Sequence, residues 1–265
     1  MKKKYLVIGN PIEHSLSPEL HNYWIKQNQI NGIYEKKKLI DDDLKDLILE
    51  IKKKKINGIN VTVPFKKKII PYLDKLSVDA QATQSVNTVY LENNETIGHN
   101  TDIEGFENSI RDVKFDVTNK KILILGAGGV VASIVLALNK MKVFNITLSN
   151  RTRNNAENLK SLFKNLQIID WGDISDFDMI INATSVGLNK NDKLDLDFSK
   201  IGKNKFFYDL IYNPEETNFL KIGRKLGNKT ENGRMMFIYQ ASAAFKIWHG
   251  INPKINQEIV KFLNK

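Results

Sequence analysis

The stretch Lys120–Met141, KKILILGAGGVVASIVLALNKM, decides the fold. It begins with an apolar run the length of a buried strand, continues through a glycine turn and ends in a long apolar helix pattern. Gly126 and Gly128 match a dinucleotide-binding turn, since the first glycine permits the tight turn and the second lets backbone approach a pyrophosphate. The third position of G-x-G-x-x-G is Val131, where small residues are usual, and a methyltransferase could show similar glycines. No Gly-Lys-Ser/Thr ends the turn, which excludes a P-loop.

Outward from this stretch, strand-like and helix-like patterns alternate in both directions. Downstream, FNITLSN, DFDMIINAT and NKFFYDLIYN predict strands, and PEETNFLKIGRKLG predicts a helix capped by its NPEE start. Upstream, KYLVIG, GIYEKKKL and GINVTV predict strands, SPELHNYWIKQN and DDDLKDLILEIKKK predict helices, and SVNTVYLE with TIGHN predicts a hairpin around Asn93 and Asn94. Thr101 and Glu104 form a T-x-x-E capping box, which predicts a helix from about Asp102.

This alternation predicts an α/β protein of two units. Residues 1–101 together with 237–265, which include two terminal helices, are expected to form an N-terminal α/β domain. Residues 102–236 are expected to form a Rossmann-like, doubly wound nucleotide-binding domain, with a cleft between the two.

Composition limits the class of protein. The chain has 265 residues, 42% hydrophobic and 26% charged, which is ordinary for a soluble globular protein. The apolar run at the start, Tyr5–Ile8, is too short for a secretory signal, and no run is long enough to cross a bilayer, so we expect a cytoplasmic protein. Cysteine is absent, which excludes disulfides and thiolate metal sites, and the four histidines show no ligand spacing, so no metal is predicted.

The net charge of +10 does not predict a nucleic-acid partner. Of the 40 basic residues, 35 are lysines scattered along the whole chain. Nucleic-acid binders usually concentrate arginine and lysine on one face, often with aromatic residues for stacking. We therefore expect a small-molecule substrate, with neither a nucleic acid nor a membrane as partner.

The strand after the glycine turn predicts the cofactor. NAD enzymes place an acidic residue about twenty positions after the turn to hold the ribose 2′-hydroxyl. Here the strand ends in TLSNRTR, so no carboxylate stands at Asn150, Arg151, Thr152 or Arg153, and two guanidinium groups are available to a 2′-phosphate. The alternative is an exposed loop with incidental arginines. We predict NADP rather than NAD.

Nine segments in this order resemble the shikimate dehydrogenase family: GNPIEHSLSPELHN, GINVTVPFKK, SVNTV, GHNTDIEGF, GAGGVVAS, NRT, INATSVGL, YDLIYNPEET and NGRMMFIYQASAAFKIW. The resemblance covers essentially the whole chain. It implies NADP-dependent, reversible reduction of 3-dehydroshikimate to shikimate in aromatic amino acid biosynthesis, and it makes the first domain the substrate domain. The sequence leaves monomer and homodimer open.

By this resemblance the catalytic residues are Lys66 and Asp102. The reaction needs a proton donor to the carbonyl oxygen and, in reverse, a base. Which of the two moves the proton stays open, and Asp102 could instead complement the dipole of its helix. The neighbouring lysines, Lys67 and Lys68, are expected to be solvated surface residues.

The resemblance also implies a set of substrate residues. Ser15 and Ser17 would bind the substrate carboxylate, and Ser17 followed by Pro18 also has the pattern of an N-cap and a first helical turn. The other substrate residues by resemblance are Asn60, Thr62, Asn87, Tyr212 and Gln240.

The cofactor residues implied are Gly126, Ala127, Gly128, Gly129, Val130, Asn150, Arg151, Thr152, Arg153, Asn182, Ala183, Thr184, Gly233 and Met236. One position near this set departs from the family pattern. Asn155 occupies the place of a second basic residue after NRT, which predicts a weaker grip on the 2′-phosphate.

Two alternatives remain. A relative that oxidises quinate, with NAD as cofactor, would use the same residues. A non-enzymatic dinucleotide-binding regulator could keep the fold, although the presence of both Lys66 and Asp102 argues against it.

Overall fold

The computed structural model describes residues 2–143, 145–189 and 191–263. Phe144, which opens the predicted strand FNITLSN, and the last two residues of the predicted terminal helix lie outside these ranges. The chain divides into two compact units, one formed by residues up to Gly105 and from Ile238 onward, the other by Phe106–Phe237.

The elements follow one another in chain order. They are β1 Lys3–Gly9, α1 Ser17–Gln27, β2 Gly32–Lys38, α2 Asp43–Lys52, β3 Gly58–Val61, α3 Phe65–Lys68, a 3₁₀ turn Ile70–Tyr72, β4 Lys75–Leu76, α4 Val78–Thr83, β5 Thr88–Glu92, β6 Glu95–His99, α5 Asp102–Asp112, β7 Lys121–Leu125, α6 Val131–Lys140, β8 Asn145–Ser149, α7 Arg153–Leu162, β9 Leu166–Ile169, β10 Met179–Asn182, β11 Phe206–Asp209, α8 Asn218–Lys225, β12 Lys229–Glu231, α9 Arg234–His249 and α10 Gln257–Phe262.

The sheet of the first unit is mixed, with strand order β2-β1-β3-β5-β6-β4. Strands β2, β1 and β3 are parallel, and β3, β5 and β6 continue as an antiparallel meander. The predicted β5–β6 hairpin is confirmed: Asn93 and Asn94 form its turn with φ of 51° and 66°, a conformation that asparagine tolerates well.

The sheet of the second unit is parallel throughout, with order β12-β11-β10-β7-β8-β9. Counted from β7 this is 6-5-4-1-2-3, the order of doubly wound dinucleotide-binding domains, so the predicted fold class is confirmed. The order reverses between β7 and β10. The loops that follow these two strands therefore meet at the position where such folds bind their ligands.

Hydrophobic burial explains why the central strands read as continuous apolar runs. In β7, every residue from Ile122 to Leu125 is fully buried, because helices cover both faces of a parallel sheet. In the first unit, Ile8 and Ile59 of neighbouring strands pack with Ile48 and Ile51 of α2. Among the described residues, no helix is both long and apolar enough to span a membrane.

Helix α9 packs against the first unit's sheet at Gly58 of β3. The indole Nε1 of Trp248 donates a hydrogen bond to the Val89 carbonyl at 3.2 Å. A Cβ on Gly58 would lie 2.3 Å from the same Nε1, so only glycine lets the indole lie on the strand.

Two helix starts differ from the prediction. Leu16, not Ser17, stands at the N-cap of α1, and the Ser17 N–H donates to the Ser15 hydroxyl at 3.3 Å. Ser17 is instead buried beside the Tyr34 hydroxyl. Similarly, α8 is capped by Thr217, whose hydroxyl accepts from the Leu220 N–H, and not by the NPEE segment.

Candidate active site

The lysine run at the end of β3 divides into residues with different environments. The Lys66 Nζ lies 2.5 Å from Asp102 Oδ2, with side chains only 13% and 9% exposed. The buried Phe65 anchors the turn, and the Val86 N–H donates to the Lys66 carbonyl at 2.9 Å. Lys68 pairs with Asp41 on the surface and Lys67 is exposed. The run therefore supplies one lysine to an internal ion pair, and its other two lysines are solvated.

Asn87 holds the other oxygen of the Asp102 carboxylate. Its Nδ2 donates to Asp102 Oδ1 at 2.8 Å and to the Thr101 hydroxyl at 2.9 Å, and lies 3.5 Å from Gln240 Oε1. Its Oδ1 accepts from the Thr101 backbone N–H at 2.8 Å. Each oxygen of Asp102 therefore has its own donor, and the carboxylate is oriented from two sides.

Asn60 joins this cluster from β3. Its Nδ2 donates to the Asn87 carbonyl at 3.1 Å and to the Thr88 hydroxyl at 3.0 Å. Its Oδ1 accepts from the Tyr34 hydroxyl at 2.7 Å. Burial raises the pKa of Tyr34 well above its usual value, and the hydrogen bond from Ser17 offsets part of that rise.

The remaining predicted substrate residues lie at different places. Ser15 is half-buried just before α1, and Thr62 is half-buried one residue beyond the end of β3, where its N–H donates to the Ile8 carbonyl. Tyr212 belongs to the second unit, where its ring stacks on Phe237 with centroids 4.7 Å apart.

The glycine turn after β7 packs on the loop after β10. Gly126 has φ of +103°, and a Cβ there would lie 2.9 Å from the Ala183 carbonyl oxygen, so glycine is required. Among the described residues, no atom lies within 4 Å of a Cβ added to Gly129, so this side of the turn is open. Helix α6 begins at Val131 behind Val130, whose side chain cannot cap it, so its first N–H groups suit an anion.

The two arginines after β8 are not equivalent. Arg153 pairs with Asp170 at 2.8 Å and with Glu157, one helical turn away, at 3.4 Å. Arg151 is exposed and makes no hydrogen bond or ion pair with another residue of the described ranges. The i,i+4 spacing of Arg153 and Glu157 was visible in the sequence, but the contact with Asp170, the residue after β9, depends on the fold.

Asn182 shapes the loop after β10 from inside. Its Nδ2 donates to Asp209 Oδ1 and to the Val186 carbonyl, and its Oδ1 accepts from the N–H and the hydroxyl of Thr184. Because this buried amide is fully engaged, it orients Ala183 and Thr184 and has no group left for a ligand. Burial raises the pKa of Asp209 to about 6, although hydrogen bonds from Thr217 and Asn182 favour its carboxylate.

Gly233 and Met236 stand at the start of α9. A Cβ on Gly233 would lie 2.1 Å from the Leu210 carbonyl oxygen, and Met236 is buried. Within the described ranges, no three His, Cys, Asp or Glu side chains come together as metal ligands would.

Known protein families match both units of the chain. The family described as the shikimate dehydrogenase substrate binding domain matches residues 7–89, and the family described as shikimate / quinate 5-dehydrogenase matches residues 109–210. A protein of Pelagibacter ubique (strain HTCC1062) named shikimate dehydrogenase (NADP(+)) is 58% identical over 264 residues, covering 100% of both chains. The chain belongs to the shikimate dehydrogenase family.

Solved structures of the shikimate dehydrogenase family have the same fold over nearly the whole chain. A shikimate dehydrogenase crystallised in complex with NADP+ superposes with a TM-score of 0.92 at 36% identity, covering 99% of this chain and 95% of that one. The enzyme of Thermus thermophilus, in complex with NADP(H) and shikimate, superposes with a TM-score of 0.90 at 28% identity, covering 99% and 98%.

For this shikimate dehydrogenase family member, the structure brings most predicted substrate-unit residues together. Lys66, Asp102, Asn87 and Asn60 form one hydrogen-bonded cluster that reaches Gln240. Tyr34 was not singled out by its sequence context, a lone tyrosine in a strand. The individual roles of the predicted site residues toward substrate and cofactor stay predictions.

Proposed function

We propose that this protein is an NADP-dependent shikimate dehydrogenase, which reversibly reduces 3-dehydroshikimate to shikimate in aromatic amino acid biosynthesis. The observation that carries the proposal is the buried Lys66–Asp102 pair, held by Asn87, in a chain 58% identical over its length to a named NADP(+) enzyme. Removing an ion pair from water costs desolvation energy, and charged pairs of this kind are concentrated at functional sites.

Lys66 moves the proton in this mechanism. In the reducing direction its Nζ donates to the carbonyl oxygen of the substrate and stabilises the negative charge that develops there. In the oxidising direction the neutral amine takes the proton back. Asp102 orients the amine through Oδ2, since both of its oxygens already accept hydrogen bonds, one from Lys66 and one from Asn87.

The surrounding polar residues bind and orient the substrate. Ser15 and Ser17, at the start of α1, bind its carboxylate with a hydroxyl donor each, in a place where the helix N-terminus favours an anion. Asn60, Thr62 and Gln240 contact the ring hydroxyls, and Asn87 orients the Asp102 carboxylate. Tyr212, which belongs to the second unit, is a substrate residue by resemblance.

The residues of the second unit fit NADP. The open side of the turn at Gly129 admits the pyrophosphate, and the uncapped start of α6 donates N–H groups to it. When bound, NADP accepts or supplies the hydride. Arg151, which has no partner within the described residues, holds the 2′-phosphate, and Asn150 and Thr152 shape its loop through a hydrogen bond at 2.7 Å. Ala183, Thr184, Gly233 and Met236 line the nicotinamide end.

Partners and location follow from the composition and from the proposed activity. We propose that the protein acts in the cytoplasm as a monomer or homodimer, on a small molecule and without a nucleic acid or a membrane as partner. The positive charge is spread over lysines along the whole chain, as expected for a solvated surface.

Absorbance of NADPH at about 340 nm, followed with 3-dehydroshikimate, tests the activity. Comparing kcat/KM for shikimate and quinate, each with NADP and NAD, tests the specificity. We expect the highest kcat/KM for shikimate with NADP. A preference for quinate with NAD would favour the alternative dehydrogenase, and NADPH binding without turnover would favour a regulator.

A pair of lysine variants tests the mechanism. Lys66→Ala should lower kcat by about 100-fold or more while KM for shikimate stays within a few-fold, because it removes an interaction of the transition state. Lys67→Ala, the matched control at an exposed lysine, should be nearly neutral. Equal losses in the two variants would mean that the run acts only as a diffuse basic patch.

A further inference from the structure

The hydroxyl of Tyr34 lies between two parts of the proposed substrate site. Tyr34 is on β2 and is 1% exposed. Its hydroxyl is 2.7 Å from Asn60 Oδ1 on β3, and the side chain of Ser17, the first residue of α1, lies beside it. One buried phenol therefore connects the strand and the helix that supply two proposed substrate residues.

The direction of these hydrogen bonds follows from their partners. The Asn60 amide nitrogen is 3.1 Å from the Asn87 backbone carbonyl, and a carbonyl oxygen can only accept. That contact fixes the nitrogen on the Asn87 side and the oxygen on the Tyr34 side. The Tyr34 hydroxyl must therefore donate to Asn60 Oδ1.

This arrangement limits what Asn60 can offer a ligand. Both of its N–H groups are used, by the Asn87 carbonyl and by the Thr88 hydroxyl, which in turn donates to Asn87 Oδ1. One lone pair of Oδ1 is used by Tyr34. A single acceptor position remains, so Asn60 can accept a hydrogen bond from a substrate hydroxyl but cannot donate one.

We infer that Tyr34 is a positioning residue for the substrate: its buried hydroxyl holds the Asn60 amide so that Oδ1 is presented as an acceptor for a ring hydroxyl. The inference rests on the proposed function, because it takes a polyhydroxylated ring acid as the ligand. Without the phenol hydroxyl, Asn60 loses one of its three restraints, and the buried Oδ1 loses its donor.

Tyr34→Phe tests this role, with Tyr5→Phe as the matched control. Tyr5 lies opposite Tyr34 on β1, is equally buried and loses the same hydroxyl, but Asn60 is not its partner. We expect Tyr34→Phe to raise KM for shikimate by about tenfold and to change kcat by about twofold or less. KM for NADP should stay unchanged in both variants, and KM for shikimate should stay unchanged in Tyr5→Phe.

A double variant separates positioning from general destabilisation. If Tyr34 acts through Asn60, adding Tyr34→Phe to Asn60→Ala should raise KM by less than about twofold. The inference is overturned if Tyr34→Phe raises KM about tenfold in the Asn60→Ala variant as well, or if Tyr34→Phe and Tyr5→Phe have the same KM for shikimate. In either case, turnover of shikimate by the wild type leaves the proposed function intact. If the wild type neither binds nor turns over shikimate, the proposed function fails and this inference with it.

Discussion

His21 makes the stability of the protein depend on pH in a way that one substitution can remove. It lies on α1 with its ring stacked on Tyr34, at a centroid distance of 4.2 Å and an interplanar angle of 2°. It is 1% exposed, and its Nε2 has no hydrogen-bond partner among the described residues. Burial lowers the pKa of His21 to about 3, because a charged imidazolium would be desolvated there, and nearby His249 adds to the effect.

Proton linkage gives the sign and the size of the change in the free energy of unfolding with pH. The native state keeps His21 neutral above pH 3, whereas in the unfolded chain its pKa is about 6.5. Between these values the unfolded state binds more protons, so the free energy of unfolding decreases as pH falls through this window. At pH 5, about 1.5 units below the unfolded pKa, the loss from His21 alone is about 2 kcal/mol relative to pH 8.

Urea denaturation of the wild type and of His21→Phe, each at pH 8 and pH 5, measures this loss. Phenylalanine can keep a ring stacked on Tyr34 and has no group to protonate, and the other titratable groups are the same in both proteins. We expect the wild type to lose about 2 kcal/mol more than the variant between the two pH values. His14→Gln, at an exposed histidine, is the control and should behave as the wild type does. Equal losses in wild type and His21→Phe would refute the reasoning.

Two further predictions compare residues that look alike in the sequence. Arg151→Ala should lower kcat/KM about tenfold or more with NADPH and far less with NADH, whereas Arg153→Ala should change either by less than about threefold, because Arg153 is already paired with two carboxylates; a uniform loss with both cofactors in Arg151→Ala would contradict the assignment. Gly58→Ala should lower the free energy of unfolding by about 2 kcal/mol, measured in urea, because its Cβ would lie 2.3 Å from Trp248 Nε1. Gly129→Ala, where no described atom lies within 4 Å, should leave stability nearly unchanged, and equal losses in both glycine variants would count against the packing argument.

Much of the fold could be predicted because local pattern and tertiary environment agree. Strand β7 is buried on both faces from Ile122 to Leu125, so these four positions had to be apolar, and the glycine turn and α6 follow directly in the chain. The hairpin at Asn93 and Asn94 was equally local. The candidate site could be predicted because its residues belong to ordered segments that resemble one family, not because spacing alone required their roles.

The predictions that failed depend on contacts between residues distant in the sequence. Ser17 had the pattern of an N-cap, but Leu16 stands at that position and Ser17 is the buried first residue of the helix, beside Tyr34 of the neighbouring strand. The NPEE segment had the pattern of a helix start, but Thr217, held by Asp209 at 2.6 Å, caps α8 instead. A hydroxyl can cap a helix and donate its proton elsewhere, as Thr217 does, so the local pattern does not determine which residue caps the helix; the tertiary structure determines which groups are near.

The sequence by itself determined the classes of element and the parallel nucleotide-binding unit, because burial pattern and turn chemistry are local properties. Its resemblance to one family implied which residues carry the chemistry. Only the tertiary structure decided how those residues are used. It brought Lys66 within hydrogen-bond distance of Asp102, which lies 36 positions further along the chain. It also assigned Arg153 to carboxylates and left Arg151 available within the described residues. Hydrogen bonds and ion pairs act over a few ångströms, and only the folded chain determines which groups come that close.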